Sequence, residues 1–419
     1  MYGTNTLNVL FKEKVALSPL VQKAKDADAL LYTKETYVQS PALYSSSVNG
    51  GAANQLAATN AQQKDYNWGT AELFTWKAYT GKLTEGILYK PENFDPTKKY
   101  PMIVNFYEKS SDGLFNHKAP SPGRSTISYS FYTSRGYLIF NPDINYKIGY
   151  PGESAYSCVI PGITSLIEKG FVDKDNIGVQ GHSWGGYQIA YLVTKTDIFK
   201  AAESGAPVAN MISAYGGIRW WTGLSRQFQY EHTQSRIGGT PWEYPSRYIE
   251  NSPIFNIDKI NTPLLIMHND GDGHVPWYQG IEFFVNLRRL GKPSWLLNYN
   301  GARHWPLKMQ NRKDFNIRMT NIAPGDFATN IASGRYHAPL LDNSAYKIPY
   351  GNTLKLMDTH VDEGSDPRIM ANVVYKIIET NNPKIHYKVG KFLQKFSIVL
   401  KRILPDRAYE YMLEKHYKI

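Results

Sequence analysis

Residues 181–186 read Gly181-His182-Ser183-Trp184-Gly185-Gly186, a G-x-S-x-G hexapeptide. An apolar run at 177–179 leads in, and a helix-compatible run at 187–194 leads out. A serine flanked this way between a strand and a helix is a nucleophile elbow. Glycines two before and two after it let the backbone turn sharply without a Cβ clash. The turn lifts the Ser183 hydroxyl above the sheet and aims a helix N-terminus at it, where developing negative charge is favoured.

A serine hydroxyl needs a base to take its proton and a third group to orient that base. Two loops downstream supply the residue types. The apolar run 264–267 opens into His268-Asn269-Asp270-Gly271-Asp272-Gly273-His274-Val275-Pro276, and the run 295–299 opens into Asn300-Gly301-Ala302-Arg303-His304. An acid loop followed by a histidine loop is the chain order of α/β-hydrolases. Both Asp270 and Asp272 are available as the acid. His182 sits beside the nucleophile in sequence but points off the elbow, so it reads as structural. His268 reads as loop-shaping.

Outward from the elbow, apolar strand-like runs (102–106, 137–140, 177–179, 201–204, 263–268, 295–299) alternate with helical stretches (154–169, 187–194, 279–290). Such alternation predicts an α/β fold, a mostly parallel sheet covered by helices on both faces. Residues 72–79 and 83–89 flank Thr80-Gly81 as a hairpin. Residues 205–260, rich in Trp, Arg, Tyr and Gly, interrupt the alternation and are expected to wall a substrate pocket. Residues 29–39 and 41–47 read as β-segments, followed by a soft Ser/Asn/Gly/Ala stretch to residue 60.

These motifs resemble the catalytic domain of the prolyl oligopeptidase (S9) serine peptidases, nearest the dipeptidyl-peptidase-like branch, over residues 66–318. That family writes the acid loop H-G-x-x-D-x-x-V-P, which implies Asp272 as the triad acid with His304 as base and Ser183 as nucleophile. The oxyanion hole is implied to be the Trp184 backbone N–H and the hydroxyl of Tyr107, which closes the run Met102-Ile103-Val104-Asn105-Phe106-Tyr107. At the position of His274 relatives carry groups that touch the substrate carbonyl. His274, with Asn210 and Tyr215 of the intervening segment, is therefore the substrate-binding candidate set. The family places a β-propeller ahead of its hydrolase domain, and residues 1–65 are read as a remnant of one. No metal and no cofactor is implied.

Composition bounds the rest. In 419 residues, 42% hydrophobic and 14% aromatic, there is material for a large core plus appendages. One cysteine, Cys158, excludes an intrachain disulfide and a cysteine-rich metal site. The net charge of +11 is concentrated at the end: residues 384–419 hold nine Lys/Arg against three acids. Basicity confined to a tail, without a groove interleaved with aromatics, argues against a nucleic-acid partner. The N-terminal residues lack a basic segment followed by an apolar one, so no signal peptide is expected.

From residue 319 the character changes. Thr320-Asn321-Ile322-Ala323-Pro324-Gly325-Asp326-Phe327-Ala328-Thr329 resembles the late P-G-x-x-x-T segment of short-chain dehydrogenases/reductases, as does Ser365-Asp366-Pro367 with the run to 379. The chain lacks T-G-x-x-x-G-x-G, and its Y-x-x-x-K matches (Tyr387/Lys391, Tyr411/Lys415) fall after the P-G segment. A working dehydrogenase is excluded on that order. Phe392, Leu393, Phe396, Val399, Leu400 and Ile403 share one face of a basic amphipathic helix. It is read as docking on the body or on a second copy in a homo-oligomer, with an anionic membrane surface as the alternative. The functional expectation is a serine peptidase acting on short peptides. The alternatives are a carboxylic ester hydrolase with the same triad and a fused chain of little activity.

Overall fold

A computed structural model of the chain describes residues 12–18 and 21–316, the backbone of Asn321–Pro324 and His386–Val389, and the isolated positions Ala408 and Tyr411. The chain divides into two compact units, Met1–Asn316 and Ile317–Ile419. In the second, Asn321–Pro324 pairs in parallel with His386–Val389. The expected helices at 365–379 and 392–403 lie outside the described residues.

The first unit is built on eight strands. They are β1 (Thr70–Lys77), β2 (Leu83–Lys90), β3 (Tyr100–Asn105), β4 (Leu138–Pro142), β5 (Val172–His182), β6 (Ala201–Gly205), β7 (Leu264–Met267) and β8 (Ser294–Leu297). Their spatial order is β8-β7-β6-β5-β3-β4-β2-β1. From β4 to β8 every neighbouring pair is parallel, while β1 and β2 add antiparallel. Because β3 lies between β4 and β5, the chain leaves β3 toward one edge of the sheet and leaves β5 toward the other. The loops after these adjacent strands diverge and open a crevice at their C-terminal ends, the place where open α/β sheets bind ligands. Tyr107 and Ser183 follow those two strands.

The helices α1 (Pro151–Glu168), α2 (Trp184–Leu192) and α3 (Tyr278–Arg289) cover the sheet. Helix α1 continues through Pro161-Gly162, a pair that ordinarily breaks a helix. The carbonyl that Pro161 leaves free is taken by the sheet edge, Tyr79 N–H donating to Ser157 O at 3.0 Å, and Trp76 Nε1 donates to the next carbonyl, Cys158 O, at 2.8 Å. The missing side chain at Gly162 admits the Trp76 and Phe140 rings, which a Cβ would meet at 2.8–2.9 Å. Met102, Val104, Leu138, Phe140, Ile163, Leu166, Ile177, Ile189 and Ile266 form the core around these helices, each 3% exposed or less.

Residues 16–57 form a five-stranded antiparallel sheet. The expected β-segments 29–39 and 41–47 are the strands Leu30–Thr36 and Gln39–Ser46, with the boundary moved to a turn through Tyr37-Val38. The soft stretch after residue 45 contributes a further strand, Asn54–Ala57. This small sheet borrows its core from the hydrolase. Tyr37, 3% exposed, packs on Tyr89 at 5.0 Å and belongs to a cluster with Ile87, Tyr129 and Ile139.

Candidate active site

Ser183 sits between β5 and α2 with φ 60° and ψ −115°. An L-residue pays for this region in strain, of order 1–3 kcal/mol, and holds it only where the surroundings enforce it. Here Ser183 N–H donates to Gly205 O at 2.7 Å and Ser183 O accepts from Tyr187 N at 2.9 Å. The turn closes so tightly on β6 that a Cβ on Gly186 would lie 2.1 Å from Gly205 O, and one on Gly185 would lie 2.7 Å from Phe106 O. Those contacts, rather than φ alone, account for the glycines after the serine.

The loop after β7 brings Asp272 under His304. The two make a buried pair, His304 Nδ1 to Asp272 Oδ2 at 2.6 Å, with residue exposures of 4% each. The carboxylate is fully engaged. Oδ1 accepts from His274 N at 2.8 Å and Val275 N at 2.9 Å, and Oδ2 also lies 3.4 Å from His268 Nε2. Burial pushes the Asp272 carboxyl up, but the hydrogen bonds from His268 and His304 outweigh it and hold the group well below the usual carboxylate range. Asp270 faces away from this pair, accepting from Gly301 N at 2.7 Å. His304 is caged by rings: His182 at 4.6 Å, His274 at 5.0 Å and Trp305 at 5.1 Å. Burial and the neighbouring His304 hold His182 well below its ordinary pKa, so it packs as a neutral ring.

Ser183 and His304 line one cavity of about 540 Å3. Tyr107 lies at its rim, and its ring approaches Gly185 at the start of α2. Gln188 Nε2 holds the Tyr107 carbonyl at 2.6 Å, and Gln234 Nε2 donates to the phenolic oxygen at 2.9 Å. The phenolic proton is thereby left for another acceptor. Trp184 is buried, its indole N–H donating to Tyr146 Oη at 3.0 Å.

Among the substrate-binding candidates, the structure brings His274 to the site and leaves two away. His274 lines a small cleft of about 20 Å3 beside Ser183 and Trp184, with Val208, Arg219 and Arg226. Asn210 caps the short helix Met211–Tyr215, accepting from Ile212 N and Ser213 N, and donates to Glu282 Oε1 at 2.7 Å. Its side-chain oxygen is spent on that cap, and its Nδ2 is turned toward Glu282. Tyr215 is buried in an aromatic cluster with Tyr230 and Tyr248 and donates to Glu231 Oε1 at 2.6 Å. Neither lines the cavity or the cleft.

Sequence reasoning missed a polar chain beneath the cavity. Asn141 Nδ2 donates to Tyr129 Oη at 2.7 Å, Tyr129 donates to Asn105 Oδ1 at 2.6 Å, and Asn105 Nδ2 donates to Gln180. Gln180 Nε2 in turn donates to Glu203 Oε2 at 2.8 Å. Apart from Tyr129, which opens the short helix Tyr129–Thr133, these residues fall at strand positions where apolar periodicity predicts core, so the asparagines at the ends of β3 and β4 were the available signal. Burial pushes the Glu203 carboxyl up to about 8. Its folded-state pKa is above the unfolded value of about 4.3, so the fold binds the extra proton and stability falls as pH rises between those values. Unfolding free energy is therefore expected to drop by up to about 1.4 kcal/mol per pH unit from this group across pH 5–8. Glu203→Gln keeps an acceptor for Gln180 and removes the titration. Denaturation at pH 5 and pH 8 should show the variant gaining on the parent as pH rises; a constant difference would contradict the assignment.

Residues 149–321 match the model of the prolyl oligopeptidase family. The chain carries a prolyl oligopeptidase family catalytic domain. Among relatives, it is 28% identical over 263 residues to dipeptidyl-peptidase 5 of Porphyromonas endodontalis, covering 55% of this chain and 33% of that one. It is 25% identical over 281 residues to human dipeptidyl peptidase 8, covering 62% and 29%. Acylaminoacyl peptidase of Pyrococcus horikoshii shares the fold, with a TM-score of 0.56 at 22% identity over 70% of this chain and 46% of that one. The matched region thus spans about a third of the length of the curated relatives. The matched residues of this prolyl oligopeptidase domain include the elbow and the acid and histidine loops that follow it.

Proposed function

We propose that the chain is a serine hydrolase that cleaves short peptides through an acyl-enzyme on Ser183. The observation that carries this reading is the buried Asp272–His304 pair sharing a cavity wall with a serine held in a strained elbow. Ser183 Oγ attacks the substrate carbonyl carbon while its proton passes to His304 Nε2. Asp272 stabilises the imidazolium through the Nδ1–H bond without taking the proton. The oxygen of the tetrahedral intermediate receives hydrogen bonds from the Trp184 N–H and the Tyr107 hydroxyl; such a donor is typically worth about 10²–10³ in rate. Collapse breaks the carbon–nitrogen bond, and His304 returns the proton to the departing amine. Water then attacks the ester carbonyl by the same route and restores Ser183.

The small cleft on the Trp184 side has room for about one water. It suits a small side chain, such as alanine, on the acyl residue. Labelling tests the reading: a fluorophosphonate should attach to Ser183 of the intact protein, located by peptide mass mapping. Absence of labelling in folded protein would sink it. Matched alanyl amide and alanyl ester substrates divide the peptidase from the ester-hydrolase alternative, since a peptidase must turn over the amide.

A further inference from the structure

The cavity that Ser183 and His304 share has a pronounced charge bias. Lys109, Lys118 and Arg124 line it, and none of its lining residues is a carboxylate. Nearby acids are engaged by other groups. Asp112 pairs with Lys109 at 3.2 Å, and Glu35 accepts from His117 N at 3.1 Å. Asp143 accepts from Ser110 N and Ser111 N. Glu203, below the floor, is kept neutral by burial up to about pH 8.

Lys118 is the informative residue. It is half-buried, with its ammonium 5.7 Å from the centroid of the Tyr129 ring, and it forms no ion pair with a described residue. Burial lowers its pKa, and Glu35 only partly offsets that. A partly desolvated cation without an ion pair is costly and is retained where a ligand supplies the counter-charge. Arg124 stands at the mouth, its guanidinium 4.5 Å over the Trp305 ring, the residue next to His304. The floor also holds an acceptor for an N–H of the leaving part rather than for its carboxylate: Asn141, 7% exposed, has an Oδ1 with no hydrogen-bond partner among the described residues.

His304 and Trp305 line this cavity and not the small cleft. The general acid must face the departing amine, so the cavity is the leaving-group side. We infer that this cavity binds a carboxylate carried by the leaving part of the substrate, held by Lys118 and Arg124. The inference rests on the serine-hydrolase reading, because only His304 acting as general acid makes the cavity the leaving-group side. The carboxylate has two sources: the free C-terminus of a short peptide, or an acidic side chain just beyond the cleaved bond.

Three peptides separate these sources: Ala-Ala-Gly-Gly with a free C-terminus, the same peptide amidated, and an amidated form with glutamate in place of the third residue. With the full chain, kcat/KM for the free acid should exceed that of the amide about tenfold, with the difference shrinking in high salt. Preference for the glutamyl amide instead would assign the side-chain source. Binding of the same peptides to the Ser183→Ala protein by calorimetry reads the site without turnover, with the same tenfold preference expected. Lys118→Met and Arg124→Gln should each reduce it to about twofold, and Lys118→Arg should restore it, with thermal melts confirming folded protein. Equal binding and equal turnover of acid and amide by a protein whose Ser183 labels would overturn the inference and leave the hydrolase standing. Carboxylate-selective binding by a protein whose Ser183 does not label would also overturn it, since the cavity would then have no leaving-group side.

Discussion

Ser183→Ala is expected to lower kcat for an alanyl peptide by roughly 10⁶-fold. The loss is this large because the hydroxyl, the imidazole and the carboxylate act as a unit, so removing the nucleophile forfeits nearly everything the unit contributes. The elbow itself should survive. Ser183 is held through its backbone, by Gly205 O and Tyr187 N, and no contact of its side chain is needed to keep the turn. Alanine tolerates the strained φ no worse than serine does. The variant should therefore melt within a few degrees of the parent while losing both turnover and fluorophosphonate labelling. A variant that keeps a hundredth of the activity would show that a different group is the nucleophile.

Asp272→Asn is expected to cost roughly 10⁴ in kcat with little change in KM. The side chain is nearly isosteric, and its oxygen still accepts from the His274 and Val275 N–H groups that shape the loop. What changes is the atom facing His304 Nδ1, 2.6 Å away. An amide N–H there favours the wrong imidazole tautomer and leaves the imidazolium without its counter-charge. The parent carboxylate also contributes stability, because its folded-state pKa is depressed. That stability is fully present above the unfolded pKa of about 3.9 and is lost as pH falls toward the folded value. The parent and Asp272→Asn should therefore differ most in stability at neutral pH and converge in acid, which denaturation at pH 7 and pH 3 will read. A drop in kcat of tenfold or less would mean that Asp272 does not orient the base.

Most of the hydrolase architecture was legible in the chain. The elbow was readable because its requirements are local: glycine where a backbone carbonyl comes within about 3 Å, an apolar strand before it and a helix after it. The alternation of strands and helices was readable because buried parallel strands are continuous apolar runs. Helix α1 was placed through Pro161-Gly162 on its apolar pattern, and the reason it survives lay elsewhere, in Trp76 and Tyr79 across the sheet edge. Asn210 and Tyr215 went the other way. Their types and neighbourhood suggested a pocket, but a helix cap and an aromatic cluster consumed their polar atoms.

Residues 105–145 show the limit most clearly. Lys109, Lys118 and Arg124 lie in irregular chain without periodicity, and a lysine in a loop reads as a solvated surface charge. Only the switch in strand order between β3 and β5 turns that loop over the crevice and brings its cations to the wall that Ser183 and His304 share. The chain by itself determined the residue types available: a serine in an elbow, an acid loop and a histidine loop, in an order that one sheet can gather. Tertiary structure decided which aspartate faces His304, which polar side chains are spent on the fold, and what charge surrounds the reacting bond. Those are distances and exposures between residues 30 to 130 positions apart, set by packing rather than by any local pattern.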